Sequence, residues 1–479
     1  MKNIKVIFFL FIFFILTACS SNSIENGEPL NNIPEEIAEA ATESYYDKLG
    51  KRDFEGDTFT VLDANDYPEW HQNFAEEING ESINDALYER NKFIESEYNV
   101  IIEYNQIKGG GAGCSALEKN VLAGSSIYDM IISLAQGGTL EKLAVNGILY
   151  NLADAPYLSL QSPWWSKLLN DNMLFNNQLY FTLGDIVPST YLTPGVMYVN
   201  LKLMQDYGIE QNLYDLVFNG KWTLDTIAAI IKDQSRDLNQ DNKMHADDDF
   251  FGIISPDNGI ISNIYAAGLG IKLSTIKNNK IEVDWVSPSA LEKIDKLSDL
   301  LVKPAYNAQN DVITNTFHNG RSMFLVHTLE AGMLFLRDME DDFGVLPMPK
   351  FDENQPGYIS FISAWVSAFP AIPSNADIEK SAFLMEAMGY AGYEMIRPNI
   401  YEKALKLKVA RDSESAQAID IIIESCYMDL NGLYNFGGSN DIIRAALFDK
   451  KPVVSAYEAK ESAIQKAIDN YIESISFNK

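Results

Sequence analysis

The amino-acid sequence predicts an α/β protein built as two lobes, with the backbone passing between them more than once. Three observations lead there. Apolar runs of strand length alternate with periodic helix-length segments from about residue 57 onward, the order that builds a parallel or mixed sheet covered by helices. A second series of the same kind begins after about residue 196. Between them lies Gly184 to Gly208, GDIVPSTYLTPGVMYVNLKLMQDYG, whose first half is extended and turn-rich because Pro188 and Pro194 block helix. Its second half holds a short strand, Met197 to Val199, and a helix ending at Gly208. Such a segment carries the chain from one body to another, and a ligand is expected in the cleft it floors.

The N-terminus fixes an address. Lys2 and Lys5 precede an unbroken apolar run, Val6 to Leu16, which is too short to span a bilayer comfortably. Leu16-Thr17-Ala18-Cys19 follows at once and resembles the lipobox of bacterial lipoproteins, which implies cleavage after residue 18 and a diacylglyceryl group on Cys19. The alternative is an ordinary secretory signal with a coincidental cysteine. Residues 19–56 are rich in Ser, Asn, Glu and Pro and read as an acidic flexible tether, with room for a loose helix at Glu35 to Leu49. The formal net charge of −30 repels nucleic acid and excludes that partner class. Cys114 and Cys426 are either buried thiols or one disulfide; a chain of this length needs no staple, which favours thiols.

In order, Thr58 to Leu62 is a strand and DANDYPEW, Asp63 to Trp70, a polar and aromatic loop. The helix Asn84 to Glu97 leads to a second, buried strand at Tyr98 to Tyr104. The run Gly109 to Gly113 matches no nucleotide fingerprint and reads as a mobile linker before a helix, Ser115 to Ala123. Tyr128 to Leu134 is a third strand and Leu140 to Val145 a helix. Beyond the crossing, Thr223 caps the helix Leu224 to Gln234, and Phe250 to Ser255 is a strand followed by an apolar helix. A small strand pair lies at Lys280 to Trp285 and a helix at Ser289 to Leu301. DFGVLPMP, Asp342 to Pro349, is an edge strand because of its prolines. Phe361 to Phe369 reads as a second crossing and the region near Arg411 as a third, between the helices Glu379 to Tyr390 and Ser413 to Ser425. Two further helices end the chain.

One loop has the spacing of a hard-cation site. From Asp237 to Asp248, oxygen donors stand at relative positions 1, 3, 5 and 12 with a backbone carbonyl at 7: Asp237, Asn239, Asp241, Asp248 and Lys243. Asn242 replaces the usual turn glycine, which Asn tolerates, His245 is at position 9, and Asp248 replaces a longer Glu. One structural calcium ion is expected there, against the alternative of a solvated acidic loop.

Catalytic patterns are missing. His71, His245, His318 and His327 include no zinc-protease pairing, and neither a nucleophile elbow nor a C-x-x-C is present. Aromatic residues are plentiful near strand ends instead: Tyr67, Trp70, Trp164, Trp165, Tyr191, Trp365 and Tyr434. Aromatic faces stack on the C–H faces of sugars while carboxylates and amides take the hydroxyls, although core packing is the default for each taken singly. Loops leaving the C-terminal ends of strands collect ligands, which selects Trp70, Gln136 and Asp257.

The lipobox, the tether, INDALYERN at Ile83, PWW at Pro163, GVMYVNLKLMQDYGI at Gly195, GKWTLDTI at Gly220, DLNQDNKMHADDDFFGI at Asp237, NGRSMF at Asn319 and FGVLPMPKFDE at Phe343 occur in a telling order. Together they resemble the extracellular solute-binding proteins of family 1, the lipoprotein receptors of ABC importers, in the carbohydrate-uptake branch. The resemblance implies a two-lobed periplasmic-binding-protein-like fold of type II, with a first lobe at 57–194 plus 363–412 and a second at 196–361 plus 413–479. It also implies a monomeric receptor without enzymatic activity, held on the outer face of a bacterial cytoplasmic membrane and serving permease subunits there. Ligand contacts are expected at Trp70, Gln136, Asp185, Tyr191, Asp257, Glu330, Trp365 and Tyr434, and the ligand to be an oligosaccharide. Rival readings are a peptide or polyamine receptor, a secreted glycan hydrolase and a surface sensor.

Overall fold

The computed structural model describes residues 44–68, 71–283, 285–304, 310–401 and 413–477. The signal peptide, Cys19, most of the tether, Trp70 and the crossing expected near Arg411 lie outside the described residues. Two compact units divide the chain, residues 1–48 and 49–479. The described part of the first leads into a short helix, Tyr45–Leu49. Among the described residues no helix is long and apolar enough to cross a membrane.

In chain order the strands are β1 (Asp57–Ala64), β2 (Val100–Gln106), β3 (Met130–Ser133), β4 (Gly195–Asn200), β5 (Phe251–Ile254) and β6 (Thr275–Lys277). They continue with β7 (Lys280–Glu282), β8 (Ser322–Thr328), β9 (Phe343–Leu346), β10 (Ser360–Phe361), β11 (Phe369–Ala371) and β12 (Cys426–Tyr427). One sheet has the order β11-β3-β1-β2, with β1 parallel to both neighbours and β11 antiparallel to β3. Another has the order β5-β8-β4-β9, with β5 parallel to β8 and β4 antiparallel to β8 and β9. The fold is thus mixed α/β around two separate sheets, as the alternating pattern predicts.

In the first sheet β1 is central and its Phe59, Val61 and Leu62 are fully buried. β2, expected to be buried, is the edge strand: it pairs with β1 alone, and Ile101 faces solvent. The glycine run, expected as a mobile linker, instead begins the helix Gly110–Leu122. A Cβ on Gly113 would stand 2.3 Å from that of Ala64, so this helix can lie against the end of β1 only where it has no side chain. The tether, expected to reach Gly56, is already bound to the body at Arg52 and Phe54. The Arg52 guanidinium lies 4.6 Å and 4.8 Å from the ring centres of Tyr157 and Phe383, and Phe54 packs edge-on against Phe383.

The tryptophan pair has a structural task. Both indole N–H groups, of Trp164 and Trp165, donate to the carboxylate of Glu386 at 3.1 Å and 2.8 Å, and the Ser159 amide adds a third donor at 3.2 Å. Glu386 is fully buried on the long helix Ile378–Pro398, so these donors replace the water it has lost. Trp222 and Trp285 are likewise core residues. Cys114 and Cys426 are free, buried thiols, and burial pushes each up to about 12.

The two crossings run side by side. Pro194 and Ile362 form an antiparallel bridge, so the second passage retraces the first. The stretch before Pro194, expected to be extended, contains a one-turn helix, Ser189–Leu192; Pro188 precedes it, where a missing N–H costs nothing. This passage also supports the helix Ile378–Pro398, because Gly392 lies directly over the Asp185 carbonyl. A Cβ there would sit 2.0 Å from that oxygen. Gly392→Ala, which would raise stability by about 1 kcal/mol in an exposed helix, is therefore expected to lower it by about 1–3 kcal/mol through overpacking. Urea unfolding of the two proteins checks this, and a gain in the variant would contradict it.

Candidate functional site

A cavity of about 130 Å³ lies where loops from both sheets meet. From the first sheet come Tyr67 and His71, in the loop that leaves β1. From the second come Asn258, just after β5, and His327, Thr328 and Glu330 at the end of β8. Val366 of the second crossing and Phe335 complete the apolar wall. β5 and β8 are parallel, so their C-terminal ends open on one side, where loops gather ligand-binding groups.

Local hydrogen bonding fixes each of these groups. Asn65 accepts the Tyr67 amide at 2.9 Å and its side-chain amide donates to the His71 carbonyl, which closes the loop after β1. Asn258 caps the helix Gly259–Gly268 by accepting the Ile261 amide at 3.0 Å. At the end of β8 the Thr328 amide donates to His327 Nδ1 at 2.8 Å. The Tyr198 hydroxyl holds the following turn, donating to the Leu329 carbonyl at 2.7 Å and accepting the Gly332 amide at 2.9 Å. Glu330 is buried: one carboxylate oxygen accepts from Thr328 Oγ1 at 3.2 Å, and the other stands 2.6 Å from His71 Nε2. That last contact joins the loop after β1 to the turn after β8. Burial holds the His327 imidazole down to about 4, so it is neutral near pH 7.

The residues expected to contact ligand are dispersed. Glu330 lines this cavity. Trp365, next to Val366, is 45% exposed, with its ring over Gly137, where a Cβ would meet it at 2.8 Å. Gln136, one residue earlier, is buried, and its Nε2 has no partner among the described residues. Asp185 and Tyr191 line a separate cavity of about 80 Å³ together with Trp164, Trp165 and Arg397. There the Tyr191 hydroxyl donates to Asp185, and the Arg397 guanidinium lies 4.0 Å from the other carboxylate oxygen. Asp257 is held by Lys303 at 2.6 Å and Arg444 at 2.8 Å, so its charge is spent inside the protein. Tyr434 stacks on Phe436 and packs at a tilt against Tyr471. His71 and His327 were not among the expected contacts. His71 is next to Trp70 in the loop after a predicted strand and shared the signal that selected Trp70; no strand is read from the sequence at Ser322–Thr328, so His327 carried none.

The acidic loop is folded by its own side chains. Asp237 accepts the Gln240 and Asn242 amides at 2.7 Å each, Asn239 the Asp241 amide and Asp241 the Lys243 amide at 2.9 Å each. Asn239 Nδ2 donates to Asp248 at 2.9 Å, which brings positions 3 and 12 together. Asn242 takes the left-handed conformation that a glycine would, at φ 65°. The buried Asp249, outside the expected donor set, ties the loop down by accepting the Leu238 and His245 amides at 2.7 Å and 2.6 Å. Among the described residues no group of three or more His, Cys, Asp or Glu side chains stands where it could hold a metal ion.

By sequence the chain matches no family model and no curated protein. By structure it is similar to an ABC substrate-binding protein of Listeria monocytogenes in complex with cycloalternan, at a TM-score of 0.53 and 15% identity, over 88% of this chain and 99% of that one. It is similar also to the maltose-binding protein MalE of Listeria monocytogenes in complex with maltose, at 0.55 and 13%, over 88% and 97%. A cyclo/maltodextrin-binding protein complexed with maltotetraose gives 0.56 and 11%, over 88% and 97%. The fold is therefore the two-lobed, type II architecture of substrate-binding proteins, and each of these neighbours is a binding protein.

The small cavity yields a pH prediction. Burial raises the Asp185 carboxyl from its ordinary 3.8 to about 7, against the Tyr191 hydrogen bond and the Arg397 charge. Between those values the folded protein binds the proton more tightly than the unfolded chain, so this group's stabilisation falls as pH rises through the window and is level above it. The slope approaches about 1.4 kcal/mol per pH unit at most. Asp185→Asn removes it, so the stability difference between variant and wild type should move in the variant's favour from pH 4 to 7. Denaturant melts at several pH values measure this, and a pH-independent difference would refute the assignment.

Proposed function

We propose that the chain is a substrate-binding receptor of an ABC importer, lipid-anchored through Cys19 to the outer face of the cytoplasmic membrane. It takes a neutral oligosaccharide between its lobes and delivers it, chemically unchanged, to permease subunits as a monomer. The lobes are divided as 57–194 plus 363–412 and 196–361 plus 413–479. The observation that carries the reading is the cavity at the strand ends, walled by loops of both sheets with aromatic, amide, imidazole and carboxylate groups. Its carboxylate is engaged by His71, which favours a neutral ligand over a polyamine. At about 130 Å³ the cavity is smaller than the roughly 300–1,000 Å³ of ligand sites. An oligosaccharide thus enters after the lobes part about the crossings and is enclosed when they close. Trp365, together with Trp70, supplies the stacking surface.

Titration calorimetry against neutral oligosaccharides should find saturable binding without product formation, and Trp365→Ala should weaken it by roughly tenfold or more, as for an exposed aromatic anchor that the ligand covers on binding. Turnover of the sugar would instead make the chain a hydrolase. We further propose that the loop Asp237 to Asp248 takes one structural calcium ion, with Asp248 released from Asn239 to join Asp237, Asn239, Asp241 and the Lys243 carbonyl. What supports this is the spacing of the donors and a loop folded on Asp237 and Asp241, which accept the Gln240, Asn242 and Lys243 amides. Calcium at about a hundredfold its Kd should add about 2.7 kcal/mol to stability, read as a rise in Tm that Asp237→Asn abolishes. A Tm indifferent to calcium and to chelator would end this proposal.

A further inference from the structure

We infer that His327 and His71 form a hydroxyl-reading pair, one offering an N–H donor and the other a bare ring nitrogen to the same C–OH group of the ligand. The inference rests on the receptor reading and assigns the specificity contacts of its site. His327 Nδ1 accepts the Thr328 amide at 2.8 Å, so its lone pair is used and the single proton of the neutral ring is on Nε2. That Nε2–H is buried, belongs to a residue lining the cavity, and has no partner among the described residues. Burial keeps the ring uncharged near pH 7; Thr328 Oγ1, also 3.1 Å from Nδ1, can take either role, so the amide, which can only donate, sets the tautomer.

His71 is arranged the other way round. Its Nε2 lies 2.6 Å from a Glu330 oxygen, and a carboxylate only accepts, so Nε2 carries the proton. With one proton on the ring, held on Nε2, Nδ1 is an acceptor, and this atom too is buried without a partner among the described residues. An orphaned donor and an orphaned acceptor, both in residues lining one cavity, each carry the cost of lost hydration. A hydroxyl is the smallest group that is donor and acceptor at once, and one set between the two rings would satisfy both. His71 comes from the loop after β1 and His327 from β8, so one hydroxyl would tie the two lobes together and report ligand identity in the act of closing. A ligand lacking that hydroxyl leaves both nitrogens unpaired.

The test is calorimetry of the full soluble chain with a panel of neutral oligosaccharides, including maltose, maltotetraose and cycloalternan. Monodeoxy analogues of the tightest binder follow. For wild type, one analogue should lose tenfold or more in affinity. His327→Leu should lose a similar factor and become indifferent to that same deoxygenation, whereas His327→Gln, which keeps an N–H at the reach of Nε2, should recover most of the binding. His71→Asn, which keeps an acceptor near Nδ1, should likewise outperform His71→Leu. If His327→Leu binds within twofold of wild type, or still discriminates against the deoxy sugar, the hydroxyl pair is wrong while the receptor reading stands. If the leucine variants do not fold, the analogue series on wild type decides, and every analogue binding within twofold overturns the pair. Wild type binding no member of the panel overturns both.

Discussion

Two strands of backbone pass between the sheets through the interior, and an interior passage must satisfy its own polar groups. Thr193 shows how: its hydroxyl donates to the Ser189 carbonyl at 2.8 Å and pairs with Ser367 Oγ of the other passage at 2.6 Å. Ser189 Oγ accepts the Ala368 amide at 3.0 Å, and Pro194 bridges Ile362. Ser189, Thr193 and Ser367 are all buried, so no water is at hand to do this instead. The small hydroxyl residues of both crossings are thus the means by which two buried segments share their hydrogen bonds. The site depends on this arrangement, because Val366, which lines it, is placed by the second passage.

The same constraint governs the buried charges. Glu386 is reached by three N–H donors, two of them indoles, and Asp257 by an ammonium and a guanidinium. Each is a carboxylate whose lost hydration has been replaced. At the strand ends the replacement is incomplete: Glu330 is matched by His71 and Thr328, yet the far nitrogens of His71 and His327 are not matched among the described residues. Other buried polar atoms are open as well, Gln136 Nε2 and Trp285 Nε1 among them, so it is their residues' shared place around one cavity at the strand ends that singles these two nitrogens out.

Periodicity made the sheets and long helices legible, since β1, β3, the helix Leu140–Val145 and the edge strand β9 follow from apolar spacing and proline placement. The Thr223 cap was legible for the same local reason, and its side chain accepts the Thr226 amide. What was not legible depends on distant partners. Nothing near Gly113 says that it must clear Ala64, and the PWW motif gives no sign of a carboxylate more than two hundred positions away. The candidate contacts suffered in the same way. Asp257 sits at a strand end, as expected of a ligand residue, but Lys303 and Arg444 claim it from remote segments. The strand that ends beside His327 is seen only in the structure, so the strand-end rule applied to the sequence does not reach this histidine.

The His71 to Glu330 hydrogen bond sets a condition on how closing is coupled to binding. It joins loops from the two sheets at 2.6 Å in the arrangement described, so part of the contact between the lobes needs no ligand. A ligand shifts the balance between open and closed forms only by what it adds beyond that contact, since equal affinity for both forms shifts nothing. A sugar that displaced Glu330 from His71 would give up one charge-assisted bond for another and gain little. One that bonds to the far nitrogens leaves the contact intact and adds to it, and this is the route by which a small polyol could close the cleft rather than merely occupy it.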